Sequence, residues 1–271
     1  MMLIKKDGIR ISYTVQGQGE PLLLIRGYAT AGSMWYTQVP QLSETFQVIT
    51  FDHRDTGNSD RVETPYCIAD MAGDVIALIE HLAWGPVHSL GISMGGMIAQ
   101  QVTLSRSDLV KTLILGCTTC NSGQGMSSDP EVLELFATRP ELSDEENVRR
   151  SLPVFFASET LTRCPDFIDD YVQQSLAQRS PLATFVRHKQ AIQGFDLCNQ
   201  LQHITGPTLI QHGGADRLLP VFNAQQLREL IPRSELRIYE GLGHLFFMED
   251  PESYNRDVIE FIWNAKRRLS N

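Results

Sequence analysis

Gly91-Ile92-Ser93-Met94-Gly95 is the segment of this chain with the clearest chemical meaning. The segment Val87–Ile92 before it reads as a strand, and residues 94–104 after it read as a helix. A G-x-S-x-G corner between strand and helix holds its serine in a tight, strained turn, with the hydroxyl exposed above the sheet. That hydroxyl is a poor nucleophile until a base takes its proton, so a histidine is required. Of the seven, His81 and His88 fall inside a predicted helix and strand, and His188 inside a helical stretch. His203 and His212 flank or end the strand at 207–211, while His244 sits in Gly-Leu-Gly-His-Leu just after the strand at 235–239. Loops beyond the carboxyl ends of parallel strands are where such sheets keep their chemistry, which favours His244 as base. An imidazole in that role needs an acid to hold its tautomer, and Asp216 lies on the loop after the preceding strand. Taken singly, each residue also has a plainer reading: a chance glycine turn, a solvated loop histidine, an Asx turn or helix cap. Together they form a nucleophile, a base and an orienting acid.

The elements that must position these groups alternate in a βα rhythm. Strands are expected at residues 10–15, 22–25, 47–51, 87–92 and 112–115. An amphipathic helix is expected at Ile68–Leu82, where Ile68, Met71, Val75, Leu78, Ile79 and Leu82 recur at helical spacing. Continuous apolar runs such as residues 22–25 suit strands buried on both faces of a parallel sheet. From residue 121 to about 200 no strand is predicted, only helices over 130–138, 144–157, 165–178 and 181–193. The βα pattern returns with a strand at 207–211, a helix at 221–230, a strand at 235–239 and a helix from Pro251. The expected organisation is therefore an α/β core, residues 1–120 and 201–271, interrupted by a helical cap over 121–200.

Over essentially its whole length the chain resembles the α/β-hydrolase superfamily, in which nucleophile, acid and base follow one another in the order Ser93, Asp216, His244. Residues 91–100, Met34-Trp35, Gln38-Val39-Pro40 and Gly243-His244-Leu245 with Glu249-Asp250-Pro251-Glu252 resemble 3-oxoadipate enol-lactonases and related cofactor-free esterases. Phe51-Asp52-His53-Arg54-Asp55-Thr56-Gly57-Asn58-Ser59 is closer to aclacinomycin-type methylesterases. The resemblance implies a mostly parallel eight-stranded sheet with a helical cap. It also implies an oxyanion hole made by the backbone N–H groups of Tyr28 and Met94. The expected activity is that of a serine hydrolase cleaving a carboxylic ester or lactone through an acyl-enzyme, with no cofactor or metal. C–C bond hydrolysis, perhydrolysis and ligand reception use the same fold and remain open alternatives.

Two positions depart from the family's pattern. The strand at 22–25 usually ends in His-Gly, whereas here Arg26 precedes Gly27. The signature D-x-R-G-x-G-x-S carries Asp55 where glycine is usual. Opposite charges gained in neighbouring loops suggest an Arg26–Asp55 ion pair that holds the Gly27-Tyr28 backbone, with Asp52 or an anionic substrate group as the alternative partner of Arg26. Among weaker signals, the Cys117–Cys120 spacing lacks the further ligands of a zinc site. Leu133, Leu135, Phe136, Phe155, Phe156, Phe167 and Phe185 are expected to pack the cap or, less often at such helical spacing, to line a pocket.

Composition limits the partners. Lys+Arg total 23 against 32 Asp+Glu, a net charge of −9, which offers no basic footprint for nucleic acid. The first residues turn polar too early for a signal peptide, and no run approaches the ~18 apolar residues of a membrane helix. Five scattered cysteines argue against a disulfide framework and fit a reducing cytoplasm. A small-molecule ester or lactone is the expected partner.

Overall fold

The computed structural model describes residues 2–4, 8–126, 129–137 and 139–269. Its strands are β1 (Met2–Ile4), β2 (Arg10–Gln16), β3 (Pro21–Ile25), β4 (Gln47–Phe51), β5 (Val87–Ile92), β6 (Val110–Gly116), β7 (Thr208–Gly213) and β8 (Ser234–Tyr239). They form one eight-stranded sheet in the order β1-β2-β4-β3-β5-β6-β7-β8. The pairs β1–β2 and β2–β4 are antiparallel; every other pairing, from β4 across to β8, is parallel. The expected architecture is therefore present, with β1 added at an edge where no strand was predicted.

The helices are α1 (Val39–Leu42), α2 (Ile68–Leu82), α3 (Met94–Ser105), α4 (Ser122–Gly125), α5 (Pro130–Phe136), α6 (Asp144–Phe155), α7 (Ser158–Arg163), α8 (Pro165–Ala177), α9 (Leu182–Ile192), α10 (Phe222–Leu230), α11 (Phe246–Glu249) and α12 (Pro251–Leu269). Each central strand feeds two cores by its alternation of side chains. On β3, Leu23 and Ile25 join Met71, Val75 and Leu78 of α2 on one face. Leu22 and Leu24 join Trp35, Phe246, Phe247 and Val258 on the other. All five residues of β3 are buried, which is why its sequence shows no polar alternation.

Helices α4 to α9 are inserted between β6 and β7. The helix predicted over 144–157 is α6, which stops at Phe155, and α7 follows beyond the predicted range; backbone groups at the junction bond outside the helix. Phe155 O accepts from Leu245 N–H at 2.9 Å, and Ala157 N–H donates to Glu249 Oε2 at 3.0 Å. Residue 138, the last of the helix predicted over 130–138, lies outside the described residues. The two crossings between sheet and insertion run side by side. Leu197 N–H donates to Cys120 O at 2.8 Å and Ser122 N–H to Phe195 O at 2.9 Å. A disulfide joins Cys120 to Cys198 there, with Cα atoms 5.0 Å apart. The cysteine count did not foretell this bond: Cys120 pairs across 78 residues, not within its C-x-x-C, and Cys117 is a free buried thiol.

Candidate active site

Ser93 follows the last residue of β5 and opens α3 at φ 53° and ψ −124°, a strained conformation for a residue with a side chain. Glycines at 91 and 95 make the corner possible. A Cβ on Gly91 would strike Gly95 O, and one on Gly95 would strike Ile25 O. Ser93 N–H donates to Gly116 O at 2.9 Å, while Thr118 Oγ1 donates to Ser93 O at 2.7 Å, so β6 holds the corner in place.

The loops after β7 and β8 bring the other two predicted residues to this point. His244 Nε2 lies 3.1 Å from Ser93 Oγ, and His244 Nδ1 lies 2.7 Å from Asp216 Oδ2. Asp216 Oδ1 accepts from the N–H groups of Leu218 and Leu219, both at 2.9 Å. Burial alone would push the Asp216 carboxyl up, but His244 and His212 outweigh it and hold the group well below the usual carboxylate range. Asp216 is thus an anion facing Nδ1, an arrangement that leaves Nε2 to accept a proton from Ser93. The N–H of Met94, first in its helix, has no intrahelical acceptor. That of Tyr28 has no partner among the described residues. A Cβ placed on Gly27 would stand 3.2 Å from Ser93 Cβ, so the Tyr28 loop passes directly beside Ser93.

The adjoining pocket encloses about 750 Å3, its open mouth included. Tyr28, Met34, Phe136, Phe155 and Phe185 supply apolar wall, and Phe155 stands over His244 with ring centres 6.1 Å apart. Phe156 is not in that wall. It packs on Phe167 and Tyr171 with ring centres 5.7 and 4.8 Å away, inside the second core. The aromatic residues of the insertion therefore divide between lining and packing.

The Arg26–Asp55 ion pair is not formed. Period-two alternation carried one residue past β3 aims Arg26 into the second core, where its guanidinium lies 5.1 Å from the Trp35 ring and 5.3 Å from that of Phe247. It is 2% exposed, its Nε and Nη1 have no hydrogen-bond partner among the described residues, and burial pushes its pKa down to about 10. Asp55 pairs instead with Arg187 of α9, at 2.7 Å to Nε and 3.1 Å to Nη2. It also accepts from Val62 N–H and Tyr66 OH, both at 2.7 Å. Burial works to raise the Asp55 carboxyl, and these donors outweigh it, so the net shift is downward. Asp55 sits at φ +71°, where glycine is at ease and the family usually has one. Here the ion pair offsets the strain. Sequence reasoning missed the role of Arg187, and the one signal pointing to it was the need of Asp55 for a cation.

This sheet order, with a serine at the β5–α3 corner and an acid and a histidine beyond β7 and β8, defines a class. The chain belongs to the alpha/beta hydrolase fold family, whose model matches residues 20–251. It is 30% identical to RutD of Serratia proteamaculans, a protein assigned as a carbamate hydrolase, over 95% of this chain and 98% of that one. A thermophilic esterase from Thermogutta terrifontis, solved with malate bound, superposes with a TM-score of 0.83 at 25% identity, covering 98% of each chain. Est816, described as an N-acyl homoserine lactone degrading enzyme, gives a TM-score of 0.82 at 27% identity, covering 95% of this chain and 99% of its own. Among the described residues no helix is long and apolar enough to cross a membrane.

Proposed function

We propose that the chain is a serine hydrolase of carboxylic esters and lactones. Ser93 acts as nucleophile, His244 as base and then acid, Asp216 as the orienting group, and the Tyr28 and Met94 N–H groups as the oxyanion hole. Residues 121–200 serve as the cap over a core formed by 1–120 and 201–271. The observation that carries this reading is the unbroken hydrogen-bonded line from Asp216 through His244 to Ser93 Oγ, beside an aromatic-walled pocket. Ser93 Oγ attacks the carbonyl as His244 Nε2 takes its proton, and the oxyanion forms against the two N–H groups. Collapse expels the alcohol with the proton from His244, and water releases the acyl group by the same steps. Each oxyanion donor contributes about 3–4 kcal/mol in the transition state.

A fluorophosphonate should label Ser93 alone, and Ser93→Ala should fold normally while losing turnover by about 10^5–10^6-fold. Label at another residue, or an active alanine variant, overturns the assignment. Carbamate cleavage is the second reading, supported by the 30% identity to RutD, and it needs no change of mechanism. A panel of p-nitrophenyl esters, lactones, aryl carbamates and vinylogous diketones ranks the substrates by kcat/KM. Preference for a diketone, or a single turnover followed by retention of product, would replace the ester reading with C–C hydrolysis or reception.

A further inference from the structure

The arginine at position 26 leaves open what holds the oxyanion loop. Three successive peptide planes of that loop are each pinned by a side chain. His53 Nε2–H donates to Arg26 O at 2.8 Å, fixing the plane between residues 26 and 27. Thr30 Oγ1 donates to Gly27 O at 3.1 Å, fixing the plane that carries the Tyr28 N–H. Ala29 N–H donates to His188 Nδ1 at 3.1 Å, fixing the plane that follows, where Ala29 is held at φ +53°. His188 belongs to α9 of the insertion, and its Nε2–H donates to Arg54 O at 3.3 Å. The two imidazoles meet edge to face with centres 6.1 Å apart.

We propose that His53 and His188 are positioning residues that clamp the oxyanion loop at its first and third peptide planes, so that α9 forms part of the catalytic apparatus as well as covering the pocket. This rests on the Ser93 reading above. The rest of α9 is anchored to suit. Arg187 holds Asp55, Thr184 Oγ1 donates to Asp55 O at 2.9 Å, and Phe185 O accepts from Tyr28 OH at 2.6 Å. His188 can accept at Nδ1 only while neutral. Burial, aided by His53, lowers its pKa to about 3, against the opposing pull of Asp55. Tyr28 and Tyr66 complete its surroundings, with ring centres 6.1 and 6.0 Å away. An oxyanion donor stabilises the transition state only when its N–H is already aimed at the developing charge, so a loosened loop costs rate rather than substrate affinity.

The test compares His188→Phe, which removes the acceptor but keeps an aromatic ring, with His188→Asn, whose amide oxygen replaces Nδ1. With p-nitrophenyl acetate, His188→Phe should lower kcat about 10- to 100-fold with KM within about threefold. His188→Asn should recover most of that loss. Amide hydrogen exchange supplies a readout independent of activity: the segment 27–31 should exchange faster in His188→Phe, with β5 and β6 unchanged. An unchanged kcat together with an unchanged exchange rate overturns the clamp. If the wild type turns over no ester, the Ser93 reading fails, and exchange at 27–31 alone decides the clamp. Should His188→Phe not fold, His188→Gln, with its acceptor one bond further out, is read in the same two ways.

Discussion

Arg26 and Asp55 are the two residues whose charges looked complementary, and each found a different solution. Asp55 has a side chain with no exposed surface, and its ion pair with Arg187 is mostly buried. Removing one partner of such a pair leaves the other charge desolvated, at a cost of about 3–5 kcal/mol. Arg187→Met and Asp55→Asn should each destabilise by roughly that order, and the double variant by much less than their sum. A coupling energy above about 1 kcal/mol in denaturant titrations is the expected result. Arg26→Met combined with Asp55→Asn should be additive. Arg26 itself is a desolvated cation without a carboxylate, held between two aromatic rings. Replacing a buried ion by an apolar side chain of similar volume is often neutral or stabilising, by about 1–4 kcal/mol. Arg26→Met should therefore not lower the denaturation midpoint, and a fall would show that the ring contacts outweigh the desolvation.

At the scale of elements, the α6–α7 junction carries two adjacent phenylalanines with different duties. Phe155 faces the pocket and His244, whereas Phe156, 3% exposed, packs among Phe167 and Tyr171. Phe155→Ala should change the ratio of kcat/KM between short and bulky acyl groups by about tenfold or more, since contacts in a pocket discriminate by about 1–3 kcal/mol. Phe156→Ala should instead lose about 3–5 kcal/mol of stability and leave that ratio alone. The junction is also fastened to the histidine loop. Glu249 accepts from Gly243 N–H at 2.6 Å and from Ala157 N–H at 3.0 Å, and from Thr160 Oγ1 as well. The insertion thus touches the loops of the proposed site at two places, α9 on residues 27–30 and α6–α7 on the loop of His244.

Over the whole molecule, buried titratable groups set the response to acid. His53, His88 and His188 are all shifted downward, chiefly by burial, His188 to about 3 from an ordinary 6.5. Between those values the unfolded chain binds protons that the folded chain does not, so stability falls as pH drops below about 6.5. Glu20 is lowered to about 2 by its bond to His88, and Asp55 and Asp216 are lowered as well. Their stabilisation is present above the unfolded carboxylate range, near 4, and is lost as pH falls through the folded values. Denaturant titrations from pH 7.5 to 3 should show one decline beginning near 6.5 and a steeper one below about 4. His188→Asn should flatten the first without moving the second.

The parts of this protein legible in its sequence are those governed by local sterics. A serine at a strained corner needs glycine on both sides, and Gly91 and Gly95 advertise it. A strand buried on both faces favours a continuous apolar run, which made β3 visible; β5 and β7 are as deeply buried yet carry His88, Ser89, Gln211 and His212, and were read from their place in the βα rhythm. The burial of Arg26 followed the same alternation, although its charge suggested otherwise. Only the tertiary structure decided which cation meets Asp55, which thiol meets Cys120, and which imidazole meets Ala29 N–H. Those partners lie 132, 78 and 159 residues away. Charge and hydrogen-bonding capacity say that a partner is needed. They carry no information about distance, which is fixed by how α9 and the return crossing pack against the loops of the sheet.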